Sequence, residues 1–177
     1  MRRLHSSRER TEQVIHYIFE HTRPDLGATK LCKVMWRADL HHYRRHGETI
    51  SGQASYVRMP RGPVPNGFHD ALRSLEKRKA IQKKPVTVFN FTRHEFHVLK
   101  RANKKWFSES AKRALQEAID AITPLRSQDA SDDTHDSLWE ELEDGEQMPI
   151  AAAAIVPAEV LQEDIRWARQ ERTVPLE

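Results

Sequence analysis

Ten histidines, one cysteine and two short polar runs are where this 177-residue chain could do chemistry. His42 and His46 stand four apart in a stretch without helix breakers, which puts two imidazoles on one helical face, as a zinc site would want. Two ligands do not close a site, and His46 directly precedes Gly47, where a histidine near a helix C-terminus already gains from the dipole. His94-Glu95-x-His97 is one residue short of the zinc-peptidase signature and lies in a segment with strand character, not on a helix. Thr134-His135-Asp136 sets three triad-like side chains in a row, yet triads assemble in space from separated positions. There is no nucleophile elbow, Walker loop or dinucleotide fingerprint, and Pro63 and Pro65 remove amide donors that a phosphate cradle at 62–67 would need. The residues therefore read as non-enzymatic, with no cofactor or metal.

Binding is the better-supported chemistry. Asp39 follows Ala38 on an apolar-striped helix, and a carboxylate there needs a partner such as Arg61, Lys30 or a helix N-terminus. Either it fixes a proline-rich corner through an internal ion pair or it belongs to a recognition groove. Trp36, Tyr43, Arg58, Met59, Arg61 and Val64 add aromatic and long cationic side chains on elements anchored by Gly47, Gly52 and Gly62, a preorganised surface of the kind that binds partners with little entropy loss. Together with Asp39 these are the candidate partner-binding residues. The plain alternative is a structural corner that packs the following helix.

Several elements must position them. Residues 9–21 carry Val14, Ile15, Ile18 and Phe19 on one helical face and stop at Pro24. Residues 28–46 place Leu31, Val34, Met35, Ala38 and His42 on a single stripe, and Gly47 supplies the left-handed cap. Ile50, Ala54, Tyr56 and Val57 read as extended chain with a turn at Gly52. Pro60, Gly62, Pro63 and Pro65 form the corner, and a third helix follows over 67–79. The β-branched and aromatic run 86–91 reads as a strand that pairs with 95–99 through a turn at Thr92 and Arg93, so a helix followed by a hairpin gives a winged-helix-like element. Ser108 caps a helix to Ile122, residues 127–131 read as a polar linker, 132–142 as a short helix and 157–170 as a last one. The expectation is one mostly helical α+β domain over 1–177.

The net charge of +3 conceals a division along the chain: residues 1–126 hold 26 Lys and Arg against 12 Asp and Glu, while 127–164 hold 12 acidic residues and neither Lys nor Arg. Leu138, Trp139, Leu142, Met148 and Ile150 give the acidic segment apolar surface, so it is expected to dock onto the basic body. The basic body also suits nucleic acid, with Asn66, His69, Arg73 and Lys77 as a recognition surface and Lys83, Lys84, Lys104 and Lys105 beside it. The lone Cys32 suits a reducing compartment, the N-terminus lacks the apolar core of a signal peptide, and no run approaches a membrane span, so a cytoplasmic protein is expected.

Two motifs in order carry a family likeness. The first joins the lysines opening the second helix, Ala38-Asp39, the run from His42 to Gly47, Ile50-Ser51-Gly52, and Met59-Pro60-Arg61-Gly62-Pro63-Val64-Pro65. The second joins Ser131-Asp132-Asp133-Thr134-His135, Trp139 and the run Asp144-Gly145-Glu146-Gln147-Met148-Pro149-Ile150. Over roughly residues 11–154 the chain resembles the Panacea, or SocA-like, antitoxin domain, although Met35-Trp36-Arg37 is more polar than the family's Leu-Leu-Tyr and Thr134 replaces its serine. The resemblance implies an antitoxin that neutralises a co-encoded toxin by direct binding, in some members as an adaptor to the ClpXP protease. The alternative is a nucleic-acid-binding winged-helix regulator or a phage-associated protein.

Overall fold

A computed structural model describes residues 7–132 and 134–155. It is a mixed α+β fold, mostly helical with two small sheets. Helix α1 (Ser7–Glu20) leads through a 3-10 turn at Pro24–Leu26 into α2 (Gly27–His46). Proline at the first position of that turn gives up no needed donor, so the chain bends without a break. Helix α2 is the spine. Leu31, Cys32, Lys33, Val34, Met35 and Trp36 are all buried in succession, because other elements cover the helix on several sides. It ends as its sequence dictates: Gly47 takes φ 70° and returns its N–H to the Tyr43 carbonyl at 2.8 Å.

Strands β1 (Ser55–Val57) and β2 (Val64–Pro65) flank the corner, and α3 (Phe68–Lys77) follows with Phe68, Ala71, Leu72 and Leu75 inward. The hairpin β3 (Ile81–Val88) and β4 (Phe91–Val98) comes next, then α4 (Glu109–Ile122), which packs along α2 with Ser108 accepting from the Ala111 N–H at 3.1 Å as N-cap. The turn of the hairpin is at Phe89 and Asn90, not at Thr92 and Arg93. A two-residue loop lets 81–85 join the ladder and sets Ile81 opposite Val98, with Ile81 and Phe96 facing the core. Pro85 is tolerated because each strand of a two-stranded sheet is an edge.

The acidic segment departs further from expectation. Residues 127–131 are no linker: α5 (Ser127–Asp132) packs on α2 and buries Ala130 and Ser131. The helix expected over 132–142 shrinks to α6 (Ser137–Glu141), because the Asp136 side chain caps the Trp139 N–H at 2.9 Å and so fixes the start there. Strand β5 (Gln147–Pro149) then pairs antiparallel with β1, completing a sheet of order β2-β1-β5, and α7 (Ile150–Ala153) follows. The helix expected over 157–170 lies outside the described residues.

Candidate functional site

The corner between β1 and β2 is held from beneath by two buried groups. Asp39 is 1% exposed. It accepts from the Ile50 N–H at 2.8 Å, the Ser51 N–H at 3.0 Å, the Ser51 hydroxyl, and the Tyr56 hydroxyl at 2.8 Å. Burial pushes its carboxyl pKa up, and these donors pull it partly back. Tyr56, fully buried beside that carboxylate, has its phenol pKa raised by burial and by the Asp39 charge, so it remains a donor. None of these partners is a cation. The expected ion pair with Arg61 or Lys30 is replaced by a hydrogen-bonded anchor that ties α2 to the 50–56 stretch, since two backbone amides and two hydroxyls already satisfy the charge where it lies. Lys30 instead donates to the Thr123 carbonyl at 2.9 Å.

The second buried group is Lys33, 1% exposed, whose ammonium donates to the Arg61 carbonyl. Burial lowers its pKa to about 8. Gly62 closes over it at φ 95°, and a Cβ there would fall on Lys33 Nζ and lie 2.6 Å from Thr134 Oγ1. The corner therefore needs glycine twice, for its backbone angle and for the room. Gln53 adds a third tie, donating to Thr11 Oγ1 at 2.9 Å and the Asn66 carbonyl at 3.0 Å.

From outside, the acidic segment clamps β1. The Arg58 guanidinium lies 3.8 Å from the centroid of the Trp139 ring, and the His135 ring stacks at 3.6 Å. Both approach too closely to share one side, so the indole is sandwiched. Arg58 also pairs with Asp144, its backbone exchanges hydrogen bonds of 2.8 Å with Glu146 and Gly145, and Trp139 Nε1 donates to the Met59 carbonyl at 3.1 Å. His135 has its pKa lowered by burial, then by Lys33, with Arg58 contributing. The docking expected from the charge division is thus present.

These contacts sort the candidate partner-binding residues. Trp36 and Asp39 lie inside the core, Trp36 edge-on to Tyr56 at 5.1 Å, so neither can touch a partner. Arg58 is occupied by the clamp. Tyr43 is half-buried ten residues along α2 from Lys33, about 15 Å away, and does not join the corner. Met59, at 41% exposure, together with exposed Arg61 and half-buried Val64, does come together, around a cavity of about 300 Å³ also lined by Cys32, Phe68 and His69. The buried role of Lys33 was missed in the sequence; its signal is a lysine inside an otherwise apolar run.

The other reactive groups are committed elsewhere. His42 donates from Nδ1 to the Glu48 carbonyl at 2.7 Å, and its ring lies 4.6 Å from that of His46, tilted by 40°. Burial pushes the Cys32 thiol up to about 12. No group of three or more His, Cys, Asp or Glu that could hold a metal occurs among the described residues. Arg73 on α3 pairs with Asp70, and Asn66 in the turn before α3 donates to the Ser55 carbonyl at 2.9 Å, which occupies part of the surface a nucleic acid would read. No helix among the described residues is long and apolar enough to cross a membrane.

Comparison with known proteins agrees with the motifs. The family model described as Antitoxin SocA-like, Panacea domain, matches residues 31–140, from the spine helix through the Trp139 clamp. Neither the curated proteins nor the solved structures gave a match. The matched span is more than half of the 177 residues and contains the Asp39 anchor, the Gly62 corner and the His135–Trp139 stack; the chain belongs to the SocA-like Panacea antitoxin domain family.

Proposed function

We propose that this protein is the antitoxin of a toxin-antitoxin pair and neutralises a co-encoded toxin by direct binding at the corner formed by Met59, Arg61 and Val64. The observation that carries this reading is the family match over residues 31–140. The corner supports it physically. Asp39, Lys33 and the Trp139 clamp hold its backbone from three directions, so little conformational entropy is lost when a partner docks. Arginine and methionine are also side chains enriched at interfaces. Delivery of the toxin to the ClpXP protease, the other route the family likeness implies, would use the same contact and differ only in shortening the toxin's lifetime.

Growth rescue tests the proposal. Cells expressing the product of the gene next to this one should stop growing, and co-expression of this chain should restore growth. Arg61→Glu should abolish rescue while leaving the thermal midpoint nearly unchanged, since an exposed substitution typically alters stability by less than about 0.5 kcal/mol. Rescue that persists with Arg61→Glu would remove the corner from the interface.

A further inference from the structure

The cavity beneath the corner does not end there. It shares Ala28, Thr29, Arg61, Phe68 and His69 with a second cavity of about 510 Å³ that reaches the hairpin. The two form one groove along the starts of α2 and α3. Its floor is apolar, supplied by Leu26, Phe68, Leu72 and Phe96. Its walls are basic: Arg61 from the corner, Lys83 from β3 and Arg93 from β4, with His69 and His94 as further donors. Asp25 is the one carboxylate on the lining, and it already stands 3.8 Å from Arg93. Arg93 also spends a terminal nitrogen on Glu95 at 2.8 Å, yet its buried Nε makes no hydrogen bond. Neither α2 nor α3 has a side chain hydrogen-bonded to its N-terminus, although Asp70 stands in the first turn of α3 and Asp25 just before α2.

We infer that this groove receives an acidic segment of a partner protein in which carboxylate and apolar side chains alternate. Carboxylates would meet Arg61 and Lys83, beside an Arg93 already paired with Glu95, and the apolar side chains between them would seat on the shallow floor where Phe68, Leu72 and Phe96 keep 4%, 8% and 3% of their surface open. Charge complementarity selects the acid. The apolar floor favours a peptide over duplex nucleic acid, whose phosphate backbone has nothing apolar to place there; a single strand has bases that stack on aromatic rings, which the oligonucleotide comparison addresses. In the chain's own 134–146 segment, Asp144 is already paired with Arg58 and Trp139 with the Met59 carbonyl. The inference rests on the toxin-binding reading for the identity of the partner, but the groove's chemistry can be tested without the toxin.

The test is a fluorescence anisotropy titration of the full chain with a labelled peptide alternating glutamate and leucine. An equally charged single-stranded oligodeoxynucleotide and the peptide with lysine in place of glutamate serve as comparisons. The glutamate peptide should bind, the lysine peptide should not, and the double variant Arg61→Glu/Lys83→Glu should weaken binding by about tenfold or more. Lys104→Glu/Lys105→Glu, on a different surface, should leave it unchanged. Oligonucleotide binding as tight as the glutamate peptide's would overturn the inference in favour of a phosphate ligand. So would no peptide binding, or salt-sensitive self-association that the Arg61→Glu/Lys83→Glu variant abolishes. Peptide binding retained alongside a failed rescue by the natural chain would sink the toxin reading and leave the groove standing.

Discussion

Replacing Asp39 with alanine should unfold the corner from within. The carboxylate satisfies two backbone N–H groups and two hydroxyls, all in a buried setting. Each donor left unpaired costs about 1–3 kcal/mol, though the hydroxyls can turn toward other acceptors and Ser51 already accepts from the Gln53 N–H at 3.2 Å. Removing the charge also relieves the desolvation that raises its pKa, which offsets part of the loss. A net cost of about 4 kcal/mol follows, equivalent at about 2–4 °C per kcal/mol to a midpoint lowered by roughly 10 °C or more. Asp39→Asn should be milder, about 1–2 kcal/mol, because its oxygen still accepts both amides and its NH₂ faces hydroxyls able to accept. Differential scanning fluorimetry of the three proteins reads this order directly. An alanine variant within about 2 °C of the natural chain, or an asparagine variant less stable than alanine, would refute the anchoring role.

Other perturbations probe the surrounding structure. Gly62→Ala should cost about 3 kcal/mol or prevent folding, since it meets both a positive φ and the Lys33 ammonium; soluble yield and midpoint report it. Arg58→Ala removes a cation–π contact, an ion pair and a hydrogen bond, so amide exchange over residues 134–149 should accelerate while α1 and α4 stay protected. His135 has a folded-state pKa below 6.5, so it favours the fold above that pH and withdraws the stabilisation as pH falls through the lowered value. His135→Phe, which keeps the stack on Trp139, should therefore flatten the fall in midpoint between about pH 7 and pH 5, and an unchanged slope would show that His135 is not its source.

Local signals were legible in the sequence wherever one residue decides the geometry. Gly47 ends α2, Ser108 starts α4, and Gly62 marks a corner with no space for a Cβ, each through a backbone property of a single residue. The docking of the acidic segment was legible because Trp139 and Leu142 would otherwise be exposed beside a charge complement. What escaped the sequence depends on distant partners. Helix α5 has weak intrinsic propensity and forms because Ala130 and Ser131 bury against α2. The hairpin register follows from Ile81 and Phe96 finding the core, which moved the turn to Phe89, a residue that takes φ 52° against its preference. Asp39 was recognised as needing a partner, but backbone amides leave no mark in a sequence, so a cation was expected where Ile50 and Ser51 suffice. Of the residues expected at the partner surface, Trp36 and Asp39 are buried, because Tyr56 of β1 covers that side of α2, edge-on to Trp36 and hydrogen-bonded to Asp39.

Isothermal titration of the purified neighbouring gene product into this protein reads the proposed toxin contact at the corner without any cellular readout. The natural chain should form a saturable complex with a stoichiometry near one. Binding should be lost or weakened at least about tenfold by Arg61→Glu, in a variant whose thermal midpoint is unchanged. No binding by the natural chain, or equal affinity for Arg61→Glu, would contradict that contact.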